Sequence, residues 1–438
     1  MYFVYRLLLT LGFLVLLPRF LLDAIRHGKY VVGFGERLGK LEPLENNGRA
    51  VVWLHCVSVG ETQAARPLLK GIRTRFPEHT IVVSTTTLTG QKLAQELFQC
   101  DAAKVFYFPF DWTWTVRRAL NAIRPSLVLI METEIWPSFL RECKTREIPV
   151  AIVNGRLSLQ SFRRYVWVTR FLRSVFKGVT LAVMQSEKDA ERMRALGMNR
   201  DKIVVSGNMK FDAGTMVPSN SVPAEFLDRF NFSDAAPLII AASTHAPEER
   251  LILEAFRRTC ATCEPRPRLL LAPRHPERFA EVASLLAKST LSWTRRSAFP
   301  SEADRACDVV LLDTIGELST LYDLGKVVFV GGSIAAAGGH NILEPAAVGS
   351  AIITGPHTHN FEGIVRAFVR QGAIIQLTSN NDQDATSELA ETFLRLLTNN
   401  RERLLLEQKA KLIWKQNLGA TERTLDYLQP VLAASKSN

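Results

Sequence analysis

The chain has 438 residues, 47% of them apolar, and carries a formal net charge of +11. That length predicts two ordinary domains plus a smaller element, and the apolar share excludes a chain too polar to bury a core. The basic excess favours an anionic partner, either anionic lipid or a phosphorylated substrate; nucleic acid is disfavoured because no arginine-rich tail or RNP-like aromatics accompany it.

The chain opens with Met1–Leu22, MYFVYRLLLTLGFLVLLPRFLL, whose apolar centre Leu7–Leu17 lies between Arg6 and Pro18-Arg19. A spanning helix needs about 20 apolar residues, a length reached here only if both arginines snorkel to the interfaces. No small-residue cleavage site follows. The segment reads as an uncleaved N-terminal membrane anchor, either a marginal span or a helix lying in the bilayer interface. A buried core helix is the alternative. Arg26, His27, Lys29, Arg37 and Lys40 follow it and put the main body on the cytoplasmic side.

Gly33–Gly39, GFGERLG, comes next and carries Glu36 between its glycines. Strands then alternate with helices, at Val51–Leu54, Thr80–Ser84, Val105–Phe108, Leu127–Met131, Val150–Val153, Leu181–Met184 and Val204–Val205, with a helix from about Thr62 to Arg75. Pro218–Pro237 reads as a linker. The alternation restarts with strands at Leu238–Ala242, Leu269–Ala272, Val309–Leu312, Val327–Val330 and Ala351–Thr354, and Ser387 to about Leu432 is helical by pattern. The fold class is therefore α/β, with two doubly wound parallel sheets. Residues 1–22 form the anchor, 23–217 the first domain, 218–237 the linker, and 238–438 the second domain with its terminal helices. Cys260-Ala-Thr-Cys263 has the C-x-x-C form, but no second pair accompanies it for zinc and no first strand precedes it as in thioredoxins. The six cysteines read as reduced thiols of a cytosolic chain.

Polar residues gather at the carboxyl ends of these strands, where open α/β sheets bind ligands. Two such domains facing each other would leave a cleft between them. Gly331–Ala347, GGSIAAAGGHNILEPAA, is laid out as strand, glycine-rich loop and helix, but matches neither the P-loop nor the Gly-x-Gly-x-x-Gly spacing. Backbone around Gly332 and Ser333 can approach a phosphate closely, with a helix N-terminus behind it. Glu344, in the first turn, suits ribose hydroxyls. An ordinary strand–helix turn is the plainer reading. Arg274-His275, framed by Pro273 and Pro276, offers a fixed guanidinium fork to a phosphate, against a surface-loop arginine. Glu317 in Ile-Gly-Glu-Leu either serves a ligand or caps a helix. Glu132 and Glu134 lie beyond a strand end, where the period-2 rule no longer fixes their directions, so a glycosidase carboxylate pair is not implied. His340, His357 and His359 lack an adjacent carboxylate cluster, and no metal site is expected. Ser58 lacks the nucleophile-elbow spacing. Glu36 alone could be a surface carboxylate; its place just after a membrane-seeking segment is where a base acting on a lipid would sit.

GERLG, HCVSVGE, METEIWP, NGRLS, GNMKFD, AASTHAPEE, APRHPERF, DTIGEL and GGHNILEPA occur in that order over nearly the whole chain. Each is weak alone; the ordered set resembles the Kdo transferases of lipid A biosynthesis, which move 3-deoxy-D-manno-octulosonic acid from CMP-Kdo to a lipid A precursor. The resemblance implies a GT-B glycosyltransferase architecture and an inverting, metal-independent enzyme that needs no cofactor, on the cytoplasmic face of the inner membrane. It implies that Glu36 is the catalytic base. It implies that Arg274, His275, Gly316, Glu317, Leu318, Asn341 and Glu344, with the Gly332-Ser333 loop, bind the CMP of the donor. His55, Ser58, Gly60, Glu61, Glu134 and Lys210 match motif positions on the acceptor side. Two other classes stay open: a GT-B sugar-nucleotide epimerase, and a non-catalytic membrane-bound nucleotide-binding protein.

Overall fold

The computed structural model describes residues 1–27, 32–46, 48–213, 224–232, 236–379 and 381–434, and only the backbone of 19–27. The chain divides into two compact units, Met1–Ala213 with Leu418–Asn438, and Gly214–Asn417.

Among the described residues the first unit holds a seven-stranded sheet: β1 (Val51–Cys56), β2 (Thr80–Thr85), β3 (Lys104–Tyr107), β4 (Leu127–Met131), β5 (Val150–Gly155), β6 (Leu181–Met184) and β7 (Ile203–Val205), in the order β3-β2-β1-β4-β5-β6-β7. Every pairing is parallel. Helices cover both faces, so β1, β4 and β5 are buried throughout. That is why these strands read as unbroken apolar runs and not as alternations. The indole N–H of Trp53, fully buried, donates to Ser84 Oγ at 2.7 Å.

The second unit repeats the plan with β8 (Leu238–Thr244), β9 (Arg268–Pro273), β10 (Trp293–Arg295), β11 (Val309–Leu311), β12 (Gly325–Val330), β13 (Ala351–Thr354) and β14 (Ile375–Gln376), ordered β10-β11-β9-β8-β12-β13-β14 and all parallel. The chain order reverses at β1, between β2 and β4, and at β8, between β9 and β12. Ligands of such sheets bind at these switch points, beyond the carboxyl ends of the strands.

Two expectations about organisation need correction. The expected linker contains a folded helix, Ala224–Phe230, whose Phe226 and Phe230 are buried. Its Arg229 forms a buried pair with Asp304 at 2.7 Å. The three prolines around it hide a Phe pair at helical spacing. The rest of 218–223 and 233–235 lies outside the described residues. Second, the last helix, Ala420–Ala434, belongs to the first unit and not to the second domain. Leu425, Leu428 and Leu432 join the cluster of Leu68, Leu69 and Ile72 on α3 (Val59–Arg75). Asp212 accepts the N–H groups of Gly419 and Thr421 at 2.8 and 2.6 Å.

Of the two forms expected for the N-terminal segment, the span finds no support: no helix among the described residues is long and apolar enough to cross a membrane. The N-terminal segment is a 26-residue helix, α1 (Tyr2–His27), that packs on the first unit. Tyr2 meets Phe171 edge to face at 5.2 Å, and Phe13 meets Trp112 at 5.0 Å. Arg6 does not reach outward: its guanidinium bonds Thr113 Oγ1 and the Tyr2 carbonyl. The face away from the unit exposes Phe3, Leu7, Leu8, Leu11, Leu14 and Val15. Of the basic residues following the segment, Arg37 is buried, its guanidinium 4.3 Å from the Tyr107 ring centre, and so adds no surface charge.

Candidate functional site

In the first unit, Glu36 sits on α2 (Phe34–Arg37), a single turn held against the end of β3. Glu36 Oε2 accepts the Tyr107 N–H at 2.8 Å, which fixes the half-buried carboxylate and leaves Oε1 without a partner among the described residues. Gly33 is obligatory here: its φ is +72°, and a Cβ would lie 1.9 Å from the Tyr107 ring. The glycine-bounded motif is thus a device for seating one carboxylate on a strand end.

At the β1/β4 switch point stands a second group. His55, fully buried, bonds Ser84 Oγ through Nδ1 at 2.9 Å and stacks on Phe108 at 3.9 Å. Burial pushes its pKa down to about 3, so the ring is neutral. Its Nε2 is buried without a partner among the described residues. Ser58 caps α3, and Gly60 lies in that helix with open space at its Cβ. Glu61 accepts from the Val57 N–H at 2.8 Å and the Ser58 hydroxyl at 2.9 Å. Ser58 and Glu61 therefore build the loop entering α3. Burial, with the charge of Glu132 added, raises the Glu61 carboxyl to about 8; the same two causes raise Glu134 to about 7. Glu132, which sequence reasoning left unassigned, pairs with Lys210 at 2.9 Å. It does so from a left-handed backbone, φ 55°, as does Asn154 at φ 54° with a buried, unpartnered Nδ2. Non-glycine residues held in this region cluster at functional sites. The only sequence signal for both was their position immediately beyond a strand or at its end.

In the second unit the expected nucleotide residues follow β9, β11 and β12. Arg274 is exposed and follows β9; His275 is half-buried beside it. Asn341 donates to Glu344 Oε1 at 3.1 Å and accepts the Leu343 N–H at 3.0 Å, which ties both residues to the start of the helix Leu343–Val348. Burial raises the Glu344 carboxyl, with Asn341 and Arg274 pulling the other way. Gly316 has φ +92°, and Leu318 opens a one-turn helix. Glu317 does not cap it: its carboxylate is bonded by Thr314 Oγ1 and by Arg296 at 3.0 Å.

The glycine-rich loop departs from expectation. The N–H groups of Gly332–Ala335 do not face an open phosphate site. Glu248 Oε1 accepts the N–H groups of Ser333 and Ile334, each at 2.8 Å, and of Ala335 at 3.1 Å; Oε2 accepts those of Gly332 at 2.8 Å and His245 at 2.9 Å. A fully buried carboxylate from the chain itself fills the nest. Ser333 is turned inward too, its hydroxyl bonding the Val330 carbonyl at 2.6 Å. Sequence reasoning missed Glu248 because the acidic pair Glu248-Glu249 opens a helix, where surface acids are common. Among the described residues no group of three or more His, Cys, Asp or Glu is arranged to hold a metal ion, and all six cysteines are unpaired.

The family description "3-Deoxy-D-manno-octulosonic-acid transferase (kdotransferase)" matches residues 33–213, the stretch that carries Glu36, His55, Glu61, Glu134 and Lys210. The chain is 35% identical over 386 residues to the 3-deoxy-D-manno-octulosonic acid transferase of Haemophilus influenzae, covering 87% of each chain. The chain belongs to the Kdo transferase family. The enzyme of the same name from Bordetella pertussis is 34% identical, again over 87% of each chain. In fold, the Kdo transferase chain is similar to a UDP-GlcNAc 2-epimerase from Neisseria meningitidis, with TM-score 0.58 and 14% identity, covering 87% of this chain and all of that one. That likeness bears on the GT-B fold alone.

Proposed function

We propose that this protein is an inverting, metal-independent transferase that moves Kdo from CMP-Kdo to a lipid A precursor at the cytoplasmic face of the inner membrane. The observation that carries the reading is Glu36, a half-buried carboxylate with one oxygen held by the Tyr107 N–H and the other without a partner among the described residues. Glu36 Oε1 takes the proton from a sugar hydroxyl of the lipid. That oxygen attacks the anomeric carbon of Kdo, the bond from that carbon to the CMP phosphate breaks, and CMP departs with the electron pair. General-base help of this kind is worth roughly 10²–10⁴-fold.

The nucleotide is held by the second unit. Glu344, with Asn341 beside it, accepts from the ribose hydroxyls, and Arg274 meets the phosphate. Charge grows on that phosphate as the bond breaks, so a guanidinium there stabilises the transition state more than the ground state. CMP carries one phosphate, and side-chain cations suffice to balance it.

The exposed apolar face of α1 lies in the bilayer interface, its other face packed on the protein. Glu36 follows α1 within a few residues, so the base stays close to the headgroup it serves. The net positive charge retains anionic lipid and the phosphorylated acceptor. The test is mass spectrometry of lipid from purified protein, CMP-Kdo and a tetra-acylated lipid A precursor. Products heavier by one or more Kdo residues are expected; unchanged lipid beside intact donor overturns the reading.

A further inference from the structure

Two histidines of the second unit have no part in the reading so far. His245 follows β8 and His340 lies in the loop after β12, and these neighbouring strands flank the switch point of the sheet. Their Nε2 atoms are 2.8 Å apart, and the rings meet edge to edge and nearly coplanar, centres 5.0 Å apart and planes 12° apart. A contact that short holds one hydrogen: two lone pairs would repel, and so would two N–H groups. One ring therefore donates and the other accepts. The edge of His245 meets His275 at 4.9 Å, next to Arg274.

The loop is shaped around this pair. A Cβ at Gly332 would lie 2.8 Å from His340 Cδ2 and 3.4 Å from His245 Cδ2, and its φ of +65° suits glycine. Gly332 is thus needed for the approach of the rings. The N–H groups of Gly332, Ser333, Ile334 and Ala335 are consumed by Glu248, so side chains carry the balance of an anion arriving against this part of the loop.

We propose that His245 and His340 form a proton-sharing pair that takes up one proton from solvent when the donor phosphate binds beside it. The proposal rests on the donor site assigned above. The added proton goes to the free Nδ1 of whichever ring donates across the contact, giving an imidazolium–imidazole pair with charge +1. A second proton would set two N–H groups face to face, so uptake stops at one. The charged and titratable groups facing the pair are Arg274, His275, Arg278 and Glu249, with Glu248 on the His245 N–H. Glu249 is already neutralised by Arg278 at 2.7 Å. Burial, then the neighbouring imidazoles and guanidiniums, pushes both rings below the usual histidine range, His340 down to about 4. A phosphate reverses that balance, most strongly as it becomes the dianion of departing CMP. The pair then acts as a positioning group whose charge follows the reaction.

The experiment is calorimetry of CMP and of cytidine binding to the full-length protein near pH 8, in buffers of different ionisation enthalpy. CMP is expected to bind with net uptake of up to one proton, the opposite sign to CMP losing its own, and cytidine with none. In His245→Gln and His340→Asn the uptake should vanish while CMP affinity falls about tenfold; in His275→Gln uptake should remain. CMP binding without uptake by the wild-type protein overturns the pair and leaves the donor site standing. Uptake that persists in both pair variants assigns the proton elsewhere and also overturns it. Absence of CMP binding overturns the donor site itself.

Discussion

Tyr5 Oη donates to Asp111 Oδ2 at 2.8 Å, pinning the first turns of α1 to the body of the first unit. The two oxygens of Asp111 also accept the N–H groups of Ser138 and Phe139, each at 2.8 Å, at the start of the helix Pro137–Thr145. One buried carboxylate thus ties the N-terminal helix to the sheet's helical layer. Tyr5→Phe should lower stability by about 1–2 kcal/mol, roughly 2–8 °C in melting temperature. Deleting residues 1–22 should lower it further, in detergent as well as on vesicles. A truncated protein with an unchanged melting curve would show that α1 contributes only to membrane attachment.

Glu36→Gln keeps an acceptor oxygen for the Tyr107 N–H and removes the base. Melting temperature and CMP affinity should stay near wild type, while turnover falls at least about a hundredfold. Near wild-type turnover would move the base elsewhere. Glu61 is a poor substitute, since both its oxygens are bonded within the loop before α3.

Glu248→Gln replaces one acceptor oxygen of the loop nest with an amide donor that confronts the same N–H groups. Two or three of the five bonds are lost, a penalty of roughly 2–4 kcal/mol concentrated in the loop. Hydrogen exchange at Gly332–Ala335 should accelerate and CMP affinity should drop, though Glu248 itself is fully buried. Unchanged exchange at these amides would mean that the carboxylate does not order the loop.

Stability should fall as pH rises through neutrality. Glu61 is raised from 4.5 to about 8 and Glu134 to about 7, first by burial and then by the charge of Glu132. The folded protein therefore keeps protons that the unfolded chain has released. Their contribution is fully present below about pH 4.5 and is lost as pH rises through 7 and 8. Melting temperature should decline between about pH 5 and pH 8, with a shallower slope in Glu61→Gln. A steeper or unchanged slope in that variant would remove Glu61 as the source.

On the proposed reading transfer should survive EDTA, with Arg274 and the adjacent histidines supplying positive charge at the single phosphate of CMP. Activity abolished by chelator and restored by Mg²⁺ would sink the metal-independent reading. In the same assay Arg274→Ala should lose more in kcat/KM than Arg274→Lys, which keeps the charge without the guanidinium fork.

The sequence by itself determined the alternation of strands and helices. Parallel strands buried on both faces must be apolar runs, and β4, β6 and β13 lie at the residues where those runs stand. It determined the family through the order of its motifs, and it singled out Glu36 by its flanking glycines. It did not reveal β10 and β14, edge strands of three and two residues, too short to carry a period. Whatever depends on contacts between distant residues was decided by tertiary structure alone. The carboxylate of Glu248 fills a loop 84 residues further on, a relation no local pattern encodes. The same holds for the last helix, whose Leu425 packs on α3 of the first unit because Gly71 lets it approach within the space of a missing Cβ. Local propensity selects the elements; burial and hydrogen-bond satisfaction across the fold select which groups remain open to a substrate.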